Sequence, residues 1–274
     1  MRRPSPVVIL IISLLMAGLA DAGPFEDVTN AFNRGDYKTA YRLVKPLAEQ
    51  GLPSAQHNLG LMYYNGQGVP REHAEAVKWF GKAADQGHVD AQFILGVMYT
   101  LGQGVPQDDA EAVKRFRKAA DKGHADAQSN LGLMYYSSKG VPQDYVQAVK
   151  WFRKAADQGV ASAQYNLGLM YHNSKGVPQD YAQAVTWFRK AADQGDADAQ
   201  FFLGLMYAKS EGVPQDYVLA HMWLNLASSR YSASEKERRE KAEKNRDIAA
   251  TKMTPAQVAK AQKLAREWKP KKAK

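Results

Sequence analysis

An all-α solenoid built from 36-residue repeats of paired helices is the fold class this sequence predicts, and three observations predict it. The tripeptide Gly-Val-Pro recurs at residues 68–70, 104–106, 140–142, 176–178 and 212–214, always 36 residues apart. Apolar residues on both sides of it follow helical spacing, and no stretch shows the period-two alternation of a half-buried strand. Tandem units of this length with two helical segments cannot bury their apolar faces alone, so they stack on their neighbours.

The elements follow in chain order. Residues 1–22, MRRPSPVVILIISLLMAGLADA, have a basic leader (Arg2, Arg3), an apolar run from Val7 to Ala20, and the small-x-small site Ala20-Asp21-Ala22. This is the layout of a signal peptide cleaved after Ala22, which places the mature chain in the periplasm or outside the cell. The rival is a permanent anchor. Its run is short against the roughly twenty residues that a hydrocarbon core of about 30 Å requires. The chain has no cysteine, so it can form no disulfide, thiolate metal site or lipoprotein anchor. After cleavage no transmembrane segment is expected.

Residues 23–53 read as a degenerate N-terminal helix pair. Asp36-Tyr37, Ala40, Leu43-Val44 and Leu47-Ala48 keep the register of a second helix, with Pro46 as an odd member. Residues 54–229 hold five full units. In the first half of the first unit, Ala55, Leu59, Met62 and Tyr63 form one apolar stripe; in the second half, Ala76, Val77, Trp79, Phe80, Ala83 and Ala84 form another. A glycine recurs inside the first helix at 60, 96, 132, 168 and 204. Glycine costs a helix about 1 kcal/mol relative to alanine, so its return implies that a neighbour crosses there too closely for a Cβ. Asp108, Asp144, Asp180 and Asp216 stand where an N-cap is wanted, with Glu111, Gln147 and Gln183 three residues later to complete capping boxes. Gly87, Gly123, Gly159 and Gly195 lie just past the second helix, where a left-handed residue closes it.

Residues 230–274 read as capping helices with a basic tail. Ser234 and Glu237 offer a capping box, and Glu237/Lys241 and Glu240/Lys244 are spaced for ion pairs. Thr254, Pro255 and Gln257 start a last helix whose stripe of Val258, Ala261, Leu264, Ala265 and Trp268 suits docking on the final repeat. The formal charge of +9 belongs here: residues 228–274 hold 15 basic and 6 acidic side chains. Lys269, Lys271, Lys272 and Lys274 form a tail that attracts anionic surfaces. In an exported protein these are envelope headgroups or polymers; nucleic acid is not expected as a partner.

The glycines of YYNGQGVP raise a chemical question, because glycine loops also cradle phosphates. The P-loop pattern needs a lysine and a hydroxyl residue after the glycines, between a strand and a helix. Here the loop joins two helices, and Pro70 removes an N–H donor. Gly68, Gly104, Gly140, Gly176 and Gly212 are therefore structural turn residues. Where the first two repeats carry Gly66 and Gly102, the later ones carry Ser138, Ser174 and Ser210, which predicts a positive φ at the second position and an ordinary φ at the serines. No nucleophile motif of the G-x-S-x-G or S-x-x-K kind is present. His88 and His124 share a slot in adjacent repeats, but a solvated loop position explains them better than a bridging metal. No catalytic residue, metal or cofactor is assigned.

The segment LGLMYYNGQGVPREHAEAVKWFGKAADQGHVDAQ resembles the Sel1-like repeat, a relative of the tetratricopeptide repeat, and the resemblance recurs five times. It implies a right-handed superhelix used without catalysis as a scaffold or adaptor for other proteins. Exported bacterial members look like regulators in the cell envelope. A disulfide-bearing branch linked to penicillin binding does not fit a chain without cysteine. Family solenoids line their concave face with the first helix of each pair. Positions that vary there among the repeats are the candidate contacts: His57, Phe93, Tyr165 and Phe201 in one row, Tyr64, Tyr136 and His172 in another. Aromatic rings anchor protein interfaces, so a protein or peptide ligand is expected. The alternatives are that some of these rings pack against the next repeat, or that the face and basic tail bind envelope glycan or muropeptide.

Overall fold

The structure, a computed structural model, describes residues 25–271. The predicted leader at 1–22 and the tail residues Lys272 and Lys274 lie outside them. All regular elements among the described residues are helical. They divide into two compact units between Gln86 and Gly87.

The first unit holds α1 (Phe25–Asn33), α2 (Tyr37–Glu49), α3 (Pro53–Asn65) and α4 (His73–Asp85). Asp36 caps α2 by accepting the Thr39 N–H at 3.1 Å. Pro46 sits inside α2 on its exposed side, where the carbonyl it leaves unpaired meets water. Val28, Ala31, Ala40, Val44 and Ala48 join Ala55, Leu59, Met62 and Trp79 in one core, so the degenerate pair packs in the register of a repeat.

The second unit holds α5 (Val89–Leu101), α6 (Asp109–Asp121), α7 (Ala125–Ser137), α8 (Tyr145–Asp157), α9 (Ala161–His172), α10 (Tyr181–Asp193), α11 (Ala197–Lys209) and α12 (Tyr217–Arg230). After a 3-10 turn at Ala233–Glu235 come α13 (Lys236–Ala250) and α14 (Pro255–Glu267). Within each repeat the two helices cross at the recurrent glycine. A Cβ on Gly96, Gly132 or Gly168 would stand 2.6–2.7 Å from the ring of Phe116, Phe152 or Phe188, and on Gly204 it would meet Leu224. These phenylalanines are almost wholly buried. The glycine is the socket for a deeply buried side chain of the second helix, a phenylalanine in three of these repeats and Leu224 in the last.

Neighbouring repeats are joined by a polar relay. Gln128 Nε2 donates to the Ala120 carbonyl of the preceding repeat at 3.1 Å, and its Oε1 accepts from Gln158 Nε2 at 2.8 Å. Gln158 Nε2 also reaches the Gly123 carbonyl at 3.1 Å. Gln164 and Gln194 repeat the arrangement. Buried amides are satisfied only when the repeats sit in one register, so the relay fixes stacking that apolar contact alone leaves free to slide. The relay is interrupted where the glutamine equivalent to Gln158 is replaced: Lys122 keeps the reach to the Gly87 carbonyl, at 2.8 Å, and the last repeat has an arginine. Gln200 Oε1 is buried without a partner, because Arg230 replaces the glutamine and stacks on Trp268 at 4.4 Å.

The loop glycines behave as expected and the serines do not. Gly68, Gly104, Gly140, Gly176 and Gly212 all have φ between 65° and 75°, but Ser138, Ser174 and Ser210 are also left-handed, at 58°, 55° and 60°. In two of the three repeats the serine is the residue at which the first helix ends; α9 ends one residue sooner, with Asn173 as its cap and Ser174 just beyond. In α7 and α11, Ser138 and Ser210 close the last turn by donating their N–H to Met134 and Met206. Each of the three hydroxyls reaches a valine carbonyl three residues on, at 3.2–3.5 Å. What distinguishes the second position is space. A Cβ on Gly140, Gly176 or Gly212 would lie 2.1–2.4 Å from a backbone carbonyl oxygen at the start of the preceding repeat's second helix, whereas at Gly102 the nearest atom is 3.5 Å away.

Two capping expectations also change. Asp108, Asp144 and Asp180 accept the N–H of Glu111, Gln147 and Gln183 as predicted, each at 2.9 Å. The boxes are not reciprocal, because each aspartate's own N–H already donates to a tyrosine carbonyl of the preceding helix. Glu111 instead pairs with Lys114 and Arg115. Near the C-terminus the capping box is Ser232 with Glu235, not Ser234 with Glu237. Burial of Tyr231 ends α12, and the 3-10 turn begins at once. Glu237 pairs with Lys241 at 3.3 Å, but Glu240 pairs backwards with Lys236 at 3.7 Å. The Thr254–Gln257 box forms, and Leu264, Ala265 and Trp268 pack on the last repeat.

Candidate functional site

The two rows of candidate contacts have different surroundings. The row beginning at residue 57 turns largely inward. His57 is buried with its ring 5.6 Å from Phe80. Phe93 stacks on His124 at 4.4 Å and lies 6.0 Å from Phe116. Tyr165 sits between Phe188 and Phe202, 5.9 Å from each. Phe201 packs with Ala227, Tyr231 and Ala242, the last from α13. These rings fill the seams beside their own second helices.

The row beginning at residue 64 is half-exposed. Tyr64 lies 5.0 Å from His73, Tyr136 lies 5.5 Å from Tyr145, and His172 meets Tyr181 edge-on at 5.3 Å. Two of these residues also link to the loop of the following repeat. Lys175 donates to the Tyr136 hydroxyl at 3.0 Å and stands over both tyrosine rings. His172 Nε2 is 3.4 Å from Glu211 Oε2. Here the repeats differ in ways that match one loop to one helix face.

Sequence reasoning passed over the adjacent row of Asn58, Ile94, Asn130, Asn166 and Phe202. Phe202 is the hub: it stacks on Phe188 at 5.3 Å and lies 6.2 Å from His172, bringing Tyr165 and His172 to one ring. Asn130 and Asn166 are half-exposed on the same helices. The signal for this row was the same variation among repeats at a fixed position, one residue further along.

His88 and His124 are not loop residues. They cap α5 and α7, accepting the Ala91 and Ala127 N–H through Nδ1 at 3.4 and 3.2 Å. Burial pushes the His88 pKa down, which suits an imidazole acting as an acceptor. In the last repeat the same cap is Asp196, which accepts from Ala199 at 2.7 Å. Nearby, the Tyr231 hydroxyl donates to Asp198 at 2.8 Å, and Arg238 of α13 reaches the other oxygen of that carboxylate at 2.9 Å. Burial, with help from Asp198, raises the Asp196 carboxyl from 3.8 to about 6 against the opposing pull of Arg238 and the capped N–H groups. The folded state therefore holds a proton that the unfolded chain releases near pH 4, and stability falls as pH rises from about 4 to about 6. Asp196→Asn keeps the cap without the titration. Relative to wild type, its thermal midpoint is expected to be unchanged at pH 4 and higher at pH 7, by about 1–3 kcal/mol of stability.

Among the described residues no three His, Cys, Asp or Glu side chains are grouped to hold a metal ion, and no helix is long and apolar enough to cross a membrane.

Comparison with known proteins places this architecture. The family model of the Sel1 repeat matches five times, at residues 53–88, 89–124, 125–160, 161–196 and 197–232. The crystal structure of a Sel1 repeat protein from Oxalobacter formigenes is similar at 30% identity and a TM-score of 0.74, over 88% of this chain and 98% of that one. A protective antigen of uropathogenic Escherichia coli with an SLR fold is 28% identical over 89% of this chain and 68% of its own, with a TM-score of 0.43. The ERAD-associated E3 ubiquitin-protein ligase component HRD3B of Arabidopsis thaliana is 40% identical over 52 residues, which are 19% of this chain and 9% of that protein. The chain thus matches about a tenth of that relative's length. It belongs to the Sel1-repeat family, whose repeats mediate protein–protein interaction.

Proposed function

We propose that the protein is a non-catalytic scaffold of the bacterial cell envelope that holds a partner polypeptide on the face formed by the first helices of its repeats. Sel1-repeat proteins are generally scaffolds without catalytic activity. The observation that carries the surface assignment is the pair of half-exposed rows, Tyr136 and His172 beside Asn130 and Asn166, on successive first helices. A row of rings and amides one repeat apart offers anchors and hydrogen-bonding groups to an extended chain. The envelope location rests on the leader-like residues 1–22, and the basic residues Lys269 and Lys271 suit an anionic envelope surface.

Tyr165 and Phe201 are poor positions for a test, since their truncation removes packing as well as any contact. Asn130→Arg with Asn166→Arg adds bulk and charge at half-exposed positions instead. In pull-downs from the native host with the tagged full chain, the double variant is expected to keep its thermal midpoint and lose its specific partner bands. Retention of the same bands by a folded double variant contradicts the assignment of this face.

A further inference from the structure

The second helices carry a feature unique to the second repeat. In three repeats a lysine at the end of the second helix lies over a tryptophan one turn earlier: Lys82 over Trp79 at 4.1 Å, Lys154 over Trp151 at 4.4 Å, and Lys190 over Trp187 at 4.0 Å. In the second repeat the tryptophan is replaced by Arg115, held by Glu111 at 2.8 Å. Lys118 thereby loses its ring and gains a cationic neighbour in its place.

The charge so released borders a cavity. Between α6 and the loop that joins α7 to α8 lies a shallow cavity of about 430 Å³, lined by Ala110, Val113, Lys114, Arg117, Lys118, Asp121, Gly140 and Val141. Lys114 pairs with Glu111 at 3.2 Å, and Arg117 contacts the Tyr135 hydroxyl. Asp121 is the sole acid of the lining. Three cations thus stand around a floor of small aliphatic groups. One repeat on, Val146 occupies the register of Ala110 and is 63% exposed.

We propose that this cavity docks an acidic segment of a partner polypeptide, its carboxylates on Lys114, Arg117 and Lys118 and a small apolar side chain on Val113 and Val141. The proposal rests on the reading that the chain binds proteins, and it adds a second surface, on the second helices. Charge complementarity selects an anion. The lining selects its class: it presents no aromatic ring on which a sugar or a base could stack, whereas valine and alanine suit an aliphatic side chain.

The test uses the full chain and a fluorescein-labelled peptide repeating Glu-Glu-Val, with a Gln-Gln-Val peptide as control and heparin and oligothymidylate as competitors. Wild type is expected to bind the acidic peptide, more weakly as salt rises, and to ignore the control. Lys118→Glu is expected to weaken binding about tenfold. Arg115→Trp, which restores the residue of the other repeats and draws Lys118 back onto a ring, is expected to weaken it several-fold while the thermal midpoint is kept. Asn130→Arg with Asn166→Arg should leave peptide binding unchanged, which separates this site from the first-helix face. Equal binding of acidic and neutral peptides, equal binding by the Lys118→Glu and Arg115→Trp variants, or preferential binding of heparin or oligothymidylate that those variants abolish overturns the proposal.

Discussion

Gly140→Ala is expected to destabilise the protein by roughly 4 kcal/mol, while Ser138→Gly, two residues away, changes stability by less than about 1 kcal/mol. Both positions are left-handed, so backbone conformation alone predicts similar behaviour. The difference is what a side chain meets. A Cβ at Gly140 stands 2.1 Å from the Asp109 carbonyl oxygen and 2.8 Å from the Ala110 nitrogen, the backbone of a helix end that cannot withdraw without unstacking two repeats. At Ser138 a Cβ is already present, and its hydroxyl recovers part of the conformational cost at the Val141 carbonyl, 3.4 Å away. Removing it exchanges strain for chain entropy, two terms of about 1 kcal/mol that nearly cancel. Urea midpoints of the two variants, at matched m-values, measure both effects. A Gly140→Ala protein as stable as wild type would mean that the loop is not wedged against its neighbour.

The second large effect lies inside a repeat. Phe152 is 1% exposed and fits the socket that Gly132 leaves in α7. Phe152→Ala is expected to cost about 3–5 kcal/mol through the cavity it creates, and Gly132→Ala about 1–3 kcal/mol through overpacking. The two should couple, because the new methyl group occupies part of the space the ring vacates; the double variant is expected to be less damaged than the sum of the singles. Repeat arrays hold together through nearest-neighbour interfaces, so the loss in the third repeat should also broaden the thermal transition. Calorimetry of the four proteins checks both points, and strict additivity would show that the ring and the glycine do not share a socket.

Much of this architecture was legible because the chain states it five times. The glycine sockets, the aspartate caps and the left-handed helix ends each return at a fixed interval, so a role inferred once could be checked against its copies. The serines misled for an instructive reason. Substitution of glycine by serine usually signals an ordinary φ, but a helix C-terminus with a nearby carbonyl tolerates serine in the left-handed region. Capping boxes were half legible: the side-chain acceptor is local, but the competitor for the aspartate N–H is a carbonyl of the preceding helix, which spacing does not reveal. The candidate contacts were least legible. Periodicity separates the buried stripe from the rest of a first helix, yet Phe93, Tyr165 and Phe201 lie off that stripe and are still covered, by the second helix, by Phe202 and by α13. Variation among repeats marked both the seams and the open face.

The scaffold reading is tested most directly by photo-crosslinking in the native host with benzoylphenylalanine placed at Asn166 of the first-helix face, and at Asn245 on α13 as a reference. The account predicts a discrete protein adduct from position 166 that is absent from position 245. Adducts to envelope glycan alone, or no adduct at position 166 when the protein is folded and expressed at its native level, contradict it.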